Sequence, residues 1–85
     1  HRNIIMWKEE HKTLTRTFKF KNFSKAFSFM TQVAIEAEKL NHHPNWSNEY
    51  NVVIINLSTH DAGNIITNKD RELAQAIDRL LEDAG

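Results

Sequence analysis

The chain changes its hydrophobic period more than once, and those changes divide it into elements. From Thr13 to Phe20 positions alternate, with Leu14, Arg16, Phe18 and Phe20 on one side and Thr13, Thr15, Thr17 and Lys19 on the other. A period of two predicts a half-buried strand. Asn3 to Lys8 reads as a shorter strand before it, with the charged Glu9-Glu10-His11 as the turn between them. From Phe23 the period becomes helical: Phe23, Ala26, Phe27, Met30, Val33, Ala34, Ala37 and Leu40 recur at three- and four-residue spacing. Asn22 stands where an N-cap belongs, and Pro44 bars continuation. Lys25, Gln32, Glu36 and Lys39 fall on the opposite side, which predicts a helix lying on a sheet with its polar face wet.

Tyr50 to Ser58 is rich in β-branched residues and predicts another strand. Its two parities, Asn51-Val53-Ile55-Leu57 and Tyr50-Val52-Ile54-Asn56, both hold apolar residues. Both faces are therefore expected to be covered, one by helices and the other by a second subunit. Asp61 to Ile66 is a loop around Gly63, and Thr67-Asn68-Lys69-Asp70 fits a capping box with Asp70 reaching back to Thr67. Leu73, Ala74, Ile77, Leu80 and Leu81 continue as an amphipathic helix to the C-terminus. The order strand, strand, helix, strand, helix predicts an α+β domain with helices on one face of an antiparallel sheet.

Composition narrows the function classes. Eighty-five residues allow a single domain, residues 1–85, and 11 basic against 11 acidic residues leave no net charge. That balance argues against direct nucleic-acid binding and against an acidic membrane surface. The absence of Cys removes disulfide scaffolds, thiolate metal knuckles and cysteine nucleophiles. No apolar run approaches the roughly 20 residues that span a bilayer, and no Gly-rich phosphate loop is present. A soluble, intracellular domain is expected. The chain opens on His1 rather than Met, which suggests a partial or processed chain. A domain this small buries only about 60% of its unfolded surface, so an oligomer is a live expectation.

Two segments carry candidate chemistry: His42-His43-Pro44 after the first long helix and Ser58-Thr59-His60-Asp61 after the long strand. Pro44 biases His43 toward an extended conformation, so the adjacent imidazoles are expected to point in different directions. If helix and strand pack as neighbouring layers, their ends converge and three imidazoles can line one pocket. Imidazole exchanges protons near neutrality, which suits acid–base catalysis. Plain surface histidines, and a backbone cap in the case of His60, are the competing structural reading. A zinc site is a further one, weakened by the lack of Cys or a carboxylate at ligand spacing. Trp46 can wall a flat ligand or serve the core. Glu9, Glu10, Glu36 and Glu38 read as solvated charges.

These residues resemble a known family. Glu38-Lys39-Leu40-Asn41-His42-His43-Pro44-Asn45-Trp46, Tyr50-Asn51-Val52 and Leu57-Ser58-Thr59-His60-Asp61 look like the signature of the pterin-4a-carbinolamine dehydratases. The Phe18 to Met30 stretch is also similar to that family's second strand and following helix, and the likeness runs from about Trp7 to about Leu80.

The resemblance implies a four-stranded antiparallel sheet in the order strand, strand, helix, strand, strand, helix. The family's N-terminal helix would be missing or truncated. The strand read from Tyr50 to Ser58 would instead be a hairpin, Asn45 to Glu49 and Asn51 to Ser58. The implied activity is elimination of water from a 4a-hydroxytetrahydropterin to give the quinonoid dihydropterin, with no metal and no organic cofactor. His42, His43 and His60 match the family's active-site histidines. Asn41, Ser58, Thr59 and Asp61 match pterin-contacting segments, with Trp46 as a further substrate-side candidate. Asn41 stands where some members have Asp. Members form dimers and often tetramers, and animal members also bind a helical segment of a homeodomain transcription factor. The resemblance thus leaves a protein-interaction role beside the enzyme, and a cytoplasmic or also nuclear location.

Overall fold

The computed structural model describes residues 7–84. Strands β1 (Lys8–Glu10) and β2 (Thr13–Lys19) precede helix α1 (Phe23–Leu40). Strands β3 (Asn45–Glu49) and β4 (Val52–Leu57) follow, and helix α2 (Asn68–Ala84) comes last. All strand pairs are antiparallel, in the spatial order β1-β2-β4-β3. This is the four-stranded α+β arrangement that the resemblance implied.

Three details differ from the periodicity reading. Of the expected strand at Asn3 to Lys8, residues 3–6 lie outside the described residues, and the strand observed is Lys8–Glu10. Glu9 and Glu10 pair with Leu14 and Thr13, so the turn is His11-Lys12, both at positive φ. Two consecutive left-handed residues give a hairpin turn whose twist matches the strands, and that geometry overrides their weak intrinsic preference for it. Tyr50 likewise leaves the strand: its φ of 52° makes it the turn between β3 and β4.

The third difference is the rotation of α1. Its buried residues are Ala26, Phe29, Val33 and Ala37, while Phe23, Phe27, Ala34 and Leu40 are exposed. Small residues at 26 and 37 let the helix approach the sheet closely, with Phe29 filling the space between them. The Phe23-Phe27-Ala34 stripe lies roughly a quarter-turn around the axis. The sequence carries two apolar stripes, and periodicity alone merged them.

The core is one cluster on one sheet face. Leu14 and Phe18 of β2 sit beside Leu57 and Val53 of β4 in register, with Ile55 between. Leu73, Ala74 and Ile77 of α2 close it together with the α1 stripe. The other parity, including Thr15, Thr17, Ile54 and Asn56, lies on the opposite face.

Arg16 shares the inward parity of β2 and needs a counter-charge there. Asp78 of α2 supplies it: Oδ1 accepts from Arg16 Nη1 at 2.8 Å and from Trp7 Nε1 at 3.0 Å. The guanidinium also lies 4.7 Å from the centre of the Phe18 ring. Replacing Asp78 by Ala leaves a largely buried cation unpaired, and we expect it to cost about 1–3 kcal/mol. Urea denaturation of the variant beside the wild type measures that loss.

Candidate active site

Helix α1 ends in a way that aims two histidines apart. Asn41 adopts the left-handed conformation, φ 52° and ψ 42°, which Asn tolerates better than most residues. The chain then turns back on itself, and the His42 N–H bonds the Ala37 carbonyl at 3.0 Å. This reversal tucks the His42 ring inward, where it is buried, and leaves His43 at the surface. Pro44 then leads the chain into β3. The expected divergence of the adjacent imidazoles is what the structure shows.

His42 meets a carboxylate that is fully buried. Its Nε2 lies 2.6 Å from Oδ1 of Asp70, and Asp70 is 0% exposed. The other oxygen, Oδ2, accepts from the Thr59 hydroxyl at 2.8 Å and from the Thr67 backbone N–H at 2.8 Å. The Thr67 bond is the predicted capping box of α2, with Lys69 N–H completing it on Thr67 Oγ1 at 3.3 Å. One carboxylate therefore ends a helix and holds a histidine. The sequence reading placed Asp70 correctly in the cap and missed its second partner. His42 and Asp70 stand 28 positions apart, and nothing local in the sequence signals that they meet.

His43 and His60 are exposed by contrast. His43 Nε2 contacts Glu38 Oε1 at 2.7 Å, although both side chains are more than half exposed. The sequence presents Glu38 as a solvated charge, but one helical turn before the reversal it comes within reach of the ring. His60 opens a 3₁₀ turn, His60–Ala62, that follows β4. Its Nδ1 lies 3.6 Å from Asp61 Oδ1, with both side chains about 90% exposed, so water screens this pair strongly. Gly63, at φ 90°, reverses the chain, and Thr59 N–H then bonds the Ile65 carbonyl at 2.8 Å. That closed loop fixes where His60 leaves the sheet.

These ends converge around a shallow hollow of about 280 Å³ lined by Asn41, His42, His43, Ser58, Thr59, His60, Asp61 and Lys69. Seven of those eight were singled out from the sequence; Lys69 was not. Trp46 is not among them: it pairs with Ile55 in the sheet and packs on the core. A larger cleft of about 520 Å³, near Phe20, Phe29 and Leu80, has a lysine rim but no histidine or acid. Of these two, the smaller hollow is the one lined by groups that can donate and accept protons. Among the described residues, no group of three or more His, Cys, Asp or Glu is arranged to hold a metal ion. Nor is any helix there long and apolar enough to cross a membrane.

Solved structures share this architecture. A protein described as a transcriptional coactivator/pterin dehydratase from Brucella melitensis superposes with a TM-score of 0.81 at 45% identity, over 86% of this chain and 79% of that one. A pterin dehydratase-like protein identified as a RuBisCO assembly factor in the alpha-carboxysome superposes with a TM-score of 0.75 at 25% identity, over 89% of each chain. A helix–sheet domain of the dehydratase type is thus the class that the fold defines. Residues 2–80 match the family described as pterin 4 alpha carbinolamine dehydratase, and the chain belongs to that family. Its relatives include two proteins named "Putative pterin-4-alpha-carbinolamine dehydratase". The one from Prochlorococcus marinus strain NATL2A is 55% identical over 88% of this chain and 78% of its own length. The one from Rhodospirillum rubrum is 59% identical over 80% and 70%.

Proposed function

We propose that this chain is a 4a-hydroxytetrahydropterin dehydratase working by histidine acid–base catalysis. The observation that carries the reading is the gathering of His42, His43 and His60 around one hollow, in a chain of this family. Elimination from the carbinolamine breaks the bond between C4a and oxygen, and hydroxide is a poor leaving group. An acid must protonate that oxygen as it departs as water, and a base must take the proton released from a ring nitrogen. Imidazoles set on different walls of a polar hollow can do both. Asn41, Ser58 and Asp61 offer amide, hydroxyl and carboxylate groups to the polar edge of the pterin, and Lys69 adds a cation. Stopped-flow absorbance of 4a-hydroxytetrahydropterin decay tests this against the uncatalysed background. Clear acceleration by the folded wild type supports the enzyme, and no acceleration removes it.

We further propose that the chain assembles into a dimer or tetramer through α1. The supporting observation is its uncovered apolar stripe, with Phe27 55% exposed and its ring stacked on Phe23 at 5.7 Å. Such aromatic pairs are costly to leave in water. The same stripe suits the amphipathic helix of another protein, which keeps the interaction role as the second reading. Phe27→Glu is expected to lower the sedimentation coefficient to that of a smaller species while leaving circular dichroism unchanged.

A further inference from the structure

We propose that Asp70 is a positioning residue that holds His42 in the tautomer bearing its proton on Nε2, so that an unprotonated Nδ1 faces the hollow. Three donors converge on the Asp70 side chain. Thr67 N–H and Thr59 Oγ1 occupy Oδ2, and His42 Nε2 approaches Oδ1 at 2.6 Å. A carboxylate only accepts, so the third donor is the imidazole N–H. The hydroxyl hydrogens are ordered by the same logic: Thr59 gives its proton to Asp70, and its oxygen receives the Thr67 hydroxyl.

Nδ1 then has the lone pair. It makes no hydrogen bond among the described residues, yet it is not among the buried polar atoms left without a partner. His42 is also one of the residues that line the hollow. Nδ1 is thus the face that His42 turns toward a ligand, and it can receive a proton but not give one. Resting on the dehydratase reading, this makes His42 the base. The pair of electrons of a ring N–H bond enters the pterin π system, the proton goes to His42 Nδ1, and the imidazolium formed is stabilised by Asp70 at Nε2. The proton for the departing C4a oxygen must then come from another group lining the hollow, and His43 and His60 are the other two imidazoles there.

Asp70→Asn discriminates this from a purely structural role. Thr67 N–H is an obligate donor, so the Asn oxygen stays on its side and the amide NH2 is turned toward His42. The amide would then donate to Nε2, moving the imidazole proton to Nδ1 and inverting what the hollow meets.

The experiment is long-range ¹H–¹⁵N correlation of the histidine rings in the full chain at neutral pH, with stopped-flow kinetics on the same samples. The wild type is expected to show Nε2–H, and the variant Nδ1–H. The variant's acceleration over background is expected to fall at least about 100-fold, with KM changing by less than about threefold. A wild-type proton on Nδ1, alone or in an imidazolium, overturns the proposal, and it does so even if the variant does not fold. A folded variant that keeps Nε2–H, or that inverts the tautomer with its acceleration intact, overturns it too. If the wild type shows Nε2–H but no acceleration, the dehydratase reading fails while the tautomer assignment stands.

Discussion

Alanine at His42 and alanine at His43 are expected to separate cleanly when activity and stability are measured together. Either substitution should reduce the acceleration of pterin dehydration by about 100-fold or more, since a positioned acid or base contributes about 10²–10⁴. Only one should destabilise the fold. Removing the His42 ring takes away the donor that Oδ1 of the buried Asp70 has in the folded protein. A buried acceptor left short of its donor in this way costs about 1–3 kcal/mol. His43 is exposed, and its contact with Glu38 is a surface pair whose loss costs about 0–1 kcal/mol. Urea titrations beside stopped-flow traces supply both numbers. A His42→Ala protein as stable as the wild type would mean that the Asp70 contact contributes nothing to folding.

Phe29→Ala is expected to remove a large share of the domain's stability. Phe29 sits between two other rings, with centroid distances of 4.9 Å to both Phe18 and Phe20. It is the one large side chain on an α1 stripe otherwise built from Ala26, Val33 and Ala37. Those small residues cannot expand into the space it would leave. Phe→Ala in a core costs about 3–5 kcal/mol, and a chain of 85 residues has about 4–13 kcal/mol in all. The denaturation midpoint should fall far below that of the wild type, or the transition should lose its folded baseline. A loss under about 1 kcal/mol would show that α1 repacks on its second stripe.

That second stripe is where sequence reasoning met its limit. Alternation along β2 made its inward residues legible, because a strand has only two faces to choose between. A helix offers a continuum, and Phe23, Phe27 and Ala34 satisfy the same spacing rule as Ala26, Val33 and Ala37. What decides is how closely the helix must approach the sheet, a tertiary quantity. The caps were legible for the opposite reason. Asn22 and Thr67 act within three residues of themselves, and their hydrogen bonds appear as expected, with Lys25 N–H on Asn22 Oδ1 at 2.9 Å.

The site divides in the same way. Its two segments could be named from residue type and from family resemblance, and they do meet. Their partners could not. Glu38 looked like any helical surface acid until the Asn41 reversal brought His43 back over it. Asp70 looked fully explained by its cap, so nothing called for a second role. Trp46 is open between a pocket wall and the core on sequence grounds, and strand alternation turns it onto the core.

The sharing of Asp70 between a cap and an imidazole has a thermodynamic consequence. Fraying of the first turn of α2 and release of the His42 ring draw on the same carboxylate, so the two events are linked equilibria. Any ligand that binds better when His42 is held must, by reciprocity, favour the closed turn. Occupancy of the hollow would therefore be felt as a smaller open population at Thr67, a residue that does not line the hollow.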